Sequence, residues 1–177
     1  NVPAGLPLVL MLPGSRTSEV NALASIFAAA LSQARAQGPF GIIIPTFPRF
    51  QSQIEAALKA TNLPGDTPIY FVTGEADKWS AFRAATAALA ASGTVALELA
   101  WAGVPMVVGY KAHWLTALIV KQLIKIPYVA LPNILLGKAL IPECLQDKCT
   151  PGLLADALIP LIFNAQVQAL QQVGFSK

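Results

Sequence analysis

Charge is scarce in this chain. Only 12% of its 177 residues are Asp, Glu, Lys or Arg, about half of the ~25% usual for a folded domain. The net charge is +3, and the basic residues are scattered rather than clustered, which excludes a nucleic-acid-binding surface. Histidine occurs once, at His113. A His-rich metal site is therefore excluded, and a Ser–His–Asp triad would hang on one residue in an apolar helical stretch; a packing or interface role suits it better. No cluster of acids offers a cage for a hard cation. Cys144 and Cys149 are the only cysteines, and their spacing matches no common zinc or redox pattern, so two reduced thiols in a cytoplasmic protein are expected.

Long apolar runs are missing too. No stretch of about 18 uncharged apolar residues occurs, so no membrane-spanning helix is expected. The start, "NVPAGLPLVLML", lacks a basic n-region and reads as a core strand rather than a signal peptide. Trp79, Trp101 and Trp114 have no basic residues interleaved with them and read as packing or interface residues.

Apolar residues, at 55%, are abundant instead. With so little charge to make a surface, part of the exterior is expected to be covered by another domain, another subunit or a lipid interface. The length suits one domain, residues 1–177. Short apolar runs alternate with helical patterns along it. The expected strands are "LVLMLP" (8–13), "GIIIPTF" (41–47), "IYFVT" (69–73), "ALAAS" (88–92), "PMVVGY" (105–110) and "YVALP" (128–132). Helical patterns fill the intervals, including "HWLTALIVKQLI" (113–124). "IPECLQ" reads as a helical turn, and a final helix opens at Thr150 or Pro151 with a kink or split at Pro160. Strands apolar on both faces fit a buried parallel sheet. The expected fold is α/β, a doubly wound, Rossmann-like and mostly parallel sheet of six strands. In such sheets ligands sit at the carboxyl ends of the strands.

Three loops at such ends carry candidate chemistry. In "LPGSRTSEV", Gly14 permits close backbone approach, the helix start presents N–H groups to an anion, and Arg16 adds a fork suited to phosphate. The alternative is an ordinary turn with a solvated Arg. In "ASGTVALELAWAGVP", Ser92, Gly93 and Thr94 lead into a helix that carries one acid, Glu98. Glu98 is not a capping-box acid, because the residues three beyond Ser92 and Thr94 are Val95 and Leu97. Thr94 and Glu98, four apart, share a helix face, from which a carboxylate can accept two hydrogen bonds from a vicinal diol such as a ribose. The alternative is a partly exposed acid near a helix start. In "YVALPNILLGKALIPECLQ", Asn133, Glu143 and Gln146 can reach the same mouth, although Pro–Asn is also a common turn.

Taken together, "LPGSRTSEV", "ASGTVALELAWAGVPMVVGY" and "PYVALPNILLGKALIPECLQ" resemble the lipid-A-disaccharide synthases over about Leu8 to Ile162, specifically their C-terminal half. The Ser–Gly–Thr…Glu element is shared with other GT-B glycosyltransferases. The resemblance implies the donor-binding half of a two-domain GT-B enzyme. That enzyme transfers 2,3-diacylglucosamine from UDP to 2,3-diacylglucosamine 1-phosphate with inversion and releases UDP, without metal or cofactor. It places Gly14, Ser15 and Arg16 near the diphosphate, along with Ser92, Gly93 and Thr94, and gives Glu98 the ribose. Asn133 lines the donor site, and Thr73 and Gly74 seat the base. Arg16 and Thr94 stabilise the leaving group, while the general base belongs to the N-terminal acceptor domain, which is absent here. Further implications are a cytoplasmic location, peripheral on the inner face of the inner membrane, and a possible homodimer. Two other readings stay open: a different GT-B UDP-sugar enzyme (a hexosyltransferase or an epimerase), or a non-catalytic nucleotide-binding α/β module.

Overall fold

The computed structural model describes residues 5–111 and 128–176. Six parallel strands form one sheet: β1 (Leu8–Leu12), β2 (Gly41–Pro45), β3 (Ile69–Val72), β4 (Ala87–Ala91), β5 (Met106–Tyr110) and β6 (Glu143–Leu145). Their spatial order is β3-β2-β1-β4-β5-β6, the doubly wound arrangement in which chain direction across the sheet reverses between β1 and β4. The helices are α1 (Thr17–Arg35), α2 (Pro48–Lys59), α3 (Glu75–Ala84), α4 (Val95–Trp101), α5 (Leu131–Leu136), α6 (Pro151–Phe163) and α7 (Ala165–Phe175). The expected helix over 113–124, with His113 and Trp114, lies outside the described residues.

Alternation along the strands explains why they carry no polar face. Val9 and Met11 of β1 point into a core built with Phe27, Ile42, Ile44, Leu89 and Leu158. Leu8, Leu10 and Leu12 point the opposite way, to Phe82, Leu99, Met106 and Val108. Both faces are covered by helices, so every position must be apolar. Gly109 in β5 is the exception that packing requires: a Cβ there would sit 2.6 Å from the Phe27 ring, so the strand gives up a side chain to seat the aromatic. On the other flank, buried Gln171 of α7 accepts from the Met106 N–H (2.9 Å) and donates to the Met106 carbonyl (3.1 Å). A side-chain amide thus satisfies the backbone at the start of β5 and fixes α7 against the sheet.

Three local expectations are corrected. Residues 128–132 form no strand; α5 begins at Leu131, with Pro132 in its first turn, where a missing N–H costs nothing. The sixth strand is instead Glu143–Leu145, within the stretch read as a helical turn, and it pairs Val108 with Glu143 and Tyr110 with Leu145. Pro160 is accommodated inside α6, and the split comes at Asn164, whose side chain accepts from the N–H groups of Gln166 and Val167 and so starts α7. Asn164 and its capping bonds, not the proline, set the break. Trp79 does pack, edge-on against Phe82 at 5.5 Å, but Trp101 is 87% exposed. No single helix among the described residues is long and apolar enough to cross a membrane.

Candidate functional site

A cleft of about 610 Å³ opens at the carboxyl ends of β1 to β4, where the sheet order reverses. Its walls include Gly14, Ser15 and Arg16 after β1, Thr46 and Phe47 after β2, Thr73 and Gly74 after β3, and Ser92, Gly93, Thr94 and Glu98 after β4. Nine of the twelve residues singled out from sequence therefore meet around one volume, without Glu143 or Gln146. Asn133 does not line it.

The β1 loop is built differently from its sequence reading. The Glu19 carboxylate folds back and accepts from the N–H groups of Ser15 (2.9 Å) and Arg16 (3.2 Å), and it pairs with the Arg16 guanidinium at 3.0 Å. The N–H groups of Ser15 and Arg16, just ahead of the helix, are thereby already paired with a carboxylate. Gly14 is needed for this internal contact as well: its φ is +120°, and a Cβ would lie 2.5 Å from Glu19. Arg49 holds the loop from outside, donating to the Ser15 carbonyl at 3.2 Å while stacking over Phe50. Arg16 itself remains 79% exposed, so most of its fork is free for a ligand. Glu19→Ala is expected to lower stability by about 1 kcal/mol, the usual cost of a lost cap, read as a fall in Tm; an unchanged Tm would show that the carboxylate is not holding the loop.

After β4, the Ser92 hydroxyl donates to the Val129 carbonyl at 3.3 Å, tying this loop to the opposite wall. Thr94 is exposed and makes no side-chain cap to its own helix, so its hydroxyl faces the cleft unspent. One turn later Glu98 presents its carboxylate to the same space, and Lys78 of α3 meets its Oε2 at 3.0 Å. Lys78 also meets Glu75 at 2.8 Å, and Glu75 accepts from the Trp79 indole N–H at 3.0 Å. Burial pulls the Lys78 ammonium down, but the hydrogen bonds and charges of Glu75 and Glu98 more than offset this and leave its pKa raised. The hydrogen bond from Lys78 draws Glu75 below its ordinary value. Lys78 was missed from sequence because a lone lysine on a short, largely polar helix reads as a solvated charge. The signal available was its place in "TGEADKW", directly after the Thr73–Gly74 loop.

Asn133 is fully buried and its amide is used completely. Nδ2 donates to the Ile141 carbonyl (2.8 Å) and to Glu143 (2.7 Å), while Oδ1 accepts from Leu140 (2.9 Å) and Ile141 (2.8 Å). Glu143 in turn accepts from the N–H groups of Val129 (2.8 Å) and Ala130 (3.0 Å). Val129 and Leu131 line the cleft; Asn133 and Glu143 form the bracket behind that wall, and Gln146 lies beyond it. The expected lining role of Asn133 is thus replaced by a structural one.

Cys144 and Cys149 are buried free thiols, and desolvation pushes both pKa values up, which makes them poor nucleophiles. Among the described residues no group of three His, Cys, Asp or Glu side chains is placed to hold a metal ion.

The family model of lipid-A-disaccharide synthetase matches residues 1–177. Lipid-A-disaccharide synthases of Bradyrhizobium diazoefficiens and Rhodopseudomonas palustris are similar to this chain, at 39% and 43% identity over 97% and 98% of it. That of Gluconobacter oxydans is 38% identical over 99%. The chain spans 42–43% of the length of these relatives. Among solved structures, MurG of Acinetobacter baumannii superposes with a TM-score of 0.65 at 20% identity, covering 98% of this chain and 46% of that one. WaaG, a glycosyltransferase involved in lipopolysaccharide biosynthesis, superposes at 0.60 and 18% identity, covering 96% and 41%. At these identities the structural likeness concerns the fold alone.

Proposed function

Because the chain belongs to the lipid-A-disaccharide synthetase family, we propose that it forms the donor-binding half of such an enzyme and holds UDP-2,3-diacylglucosamine in the cleft between β1 and β4. The observation that carries this reading is the meeting of Arg16, the Ser92–Gly93–Thr94 loop and Glu98 around one volume of about 610 Å³. A UDP-sugar needs a positive and hydrogen-bonding surface for its diphosphate and an acceptor for its ribose diol, and these groups supply both.

In the reaction, the 6-hydroxyl of 2,3-diacylglucosamine 1-phosphate attacks C1 of the donor sugar from the face opposite UDP. The C1–O bond to the β-phosphate breaks, its electron pair leaves with UDP, and the configuration inverts to a β-1,6 link. Negative charge grows on the departing phosphate, and the Arg16 fork and Thr94 hydroxyl stabilise it there. A preorganised donor of this kind is worth roughly 10²–10³ in rate. Among the described residues lining the cleft, the carboxylates of Glu19, Glu75 and Glu98 each already accept bonds from Lys78, Arg16, Trp79 or backbone N–H groups. Holding rather than proton abstraction suits them, and the base comes from an N-terminal acceptor domain. Acylated substrates place the complete enzyme at the cytoplasmic face of the inner membrane.

The test joins this chain to the N-terminal half of the Rhodopseudomonas palustris relative. Disaccharide 1-phosphate is then sought by mass spectrometry from the acylated donor and acceptor. Product from acylated substrates, with UDP binding but no product from this chain by itself, is the expected result. Turnover of unacylated sugars only would transfer the function to another GT-B enzyme.

A further inference from the structure

We propose that Lys78 is the positioning residue that orients Glu98 toward the donor's ribose, acting as the centre of a Glu75–Lys78–Glu98 charge array on the cleft rim. This rests on the reading that Glu98 receives the ribose diol.

Among the described residues, Lys78 is the one side-chain partner of the Glu98 carboxylate, and it engages a single oxygen, Oε2, at 3.0 Å. A free glutamate rotates about three side-chain bonds, and ordering a flexible side chain opposes any contact it makes. Lys78 removes that freedom from a different helix. It reaches from α3 across to α4, 20 residues apart in sequence, and leaves Oε1 and the remaining lone pairs directed to the cleft.

Lys78 can act this way only because it is itself held. Glu75 fixes its ammonium at 2.8 Å, and the Trp79 indole anchors Glu75 at 3.0 Å. The ammonium also lies 5.5 Å and 5.9 Å from the Trp79 and Phe82 ring centres, within the range where an aromatic face attracts a cation. Its side chain is only 20% exposed, so solvent competes weakly for it. A lysine placed to meet phosphate directly would not need two carboxylates on it. With two, its charge is spent on them, and its effect on a ligand passes through Glu98.

The test measures affinities of this chain for UDP, 2′-deoxy-UDP and uridine by calorimetry, for the wild type and for Lys78→Met, Lys78→Gln, Lys78→Arg and Glu98→Gln, with thermal unfolding to show that each variant is folded. The wild type is expected to prefer UDP over 2′-deoxy-UDP by about tenfold, the worth of one good hydrogen bond to a charged group. Lys78→Met and Lys78→Gln are expected to cut that preference at least threefold and to leave the advantage of UDP over uridine unchanged. Lys78→Arg, which keeps the charge, is expected to retain most of the preference. If both neutral variants keep the wild-type preference while Glu98→Gln weakens it, the ribose reading stands and the role of Lys78 is overturned. Equal weakening of UDP and 2′-deoxy-UDP with uridine unaffected would make Lys78 a phosphate contact and also overturn it. If Glu98→Gln leaves the preference intact, the ribose reading fails and this inference falls with it.

Discussion

Asn133→Ala is expected to destabilise the fold by about 3–5 kcal/mol, summing the cost of buried groups left unpaired at roughly 1–3 kcal/mol each. The native amide makes two donor and two acceptor bonds, and alanine replaces none of them. The N–H groups of Leu140 and Ile141, the Ile141 carbonyl and one Glu143 oxygen all lose a partner at once. Water entering the vacated space recovers part of the loss, which keeps the figure below a full sum. Against a total stability of about 5–15 kcal/mol, this is a large fraction, and at roughly 2–4 °C per kcal/mol it lowers Tm by about 6–20 °C. Asn133→Asp is expected to be at least as damaging at neutral pH, because an oxygen then replaces the nitrogen that sits 2.7 Å from Glu143. Urea unfolding with both variants reads the effect. A normal Tm combined with lost UDP affinity would instead make Asn133 a ligand contact.

Glu98→Ala is expected to have the opposite signature. Hydrogen bonds to a charged group are worth about 1.5–3 kcal/mol, so UDP affinity should fall roughly 10–150-fold. Stability should change by less than about 0.5 kcal/mol, because the ion pair with Lys78 is partly exposed on both sides. Glu98→Gln should fall between wild type and alanine, since its amide oxygen still accepts one hydroxyl. Calorimetric titration beside thermal unfolding separates the two quantities. An unchanged affinity in Glu98→Ala removes this residue from the site.

These two residues show what could be read in the sequence and what could not. Glu98 was legible because its setting is local: a buried strand, a Ser–Gly–Thr turn, and an acid one turn into an otherwise apolar helix. The sheet was legible for the same reason, since five strands are apolar runs bounded by turns. Asn133 was not, because its role is settled by a carbonyl and two N–H groups seven and eight residues away. Pro–Asn has the same local appearance whether it faces a cleft or closes one. The sixth strand was hidden by length and by Glu143. Only three residues pair, and the glutamate read as reaching the ligand mouth captures the backbone of Val129 and Ala130, which leaves the more strand-like "YVALP" to start a helix. Glu19 has the ordinary look of an acid in the first turn of a helix, but its return to Ser15 and Arg16 depends on the left-handed Gly14 beside it. Lys78 gains its meaning from Glu98, 20 residues away; no local pattern links the two.

The central claim is that this domain holds the UDP of a sugar donor at the carboxyl ends of β1 and β4. Backbone amide NMR of this chain, titrated with UDP in the absence of divalent cations, tests it most directly. The account predicts saturable shifts concentrated at Gly14, Ser15 and Arg16, at Ser92, Gly93 and Thr94, and around Glu98, with the β6 and α6 amides nearly still. No saturable shift, or shifts centred away from this cleft, would contradict it.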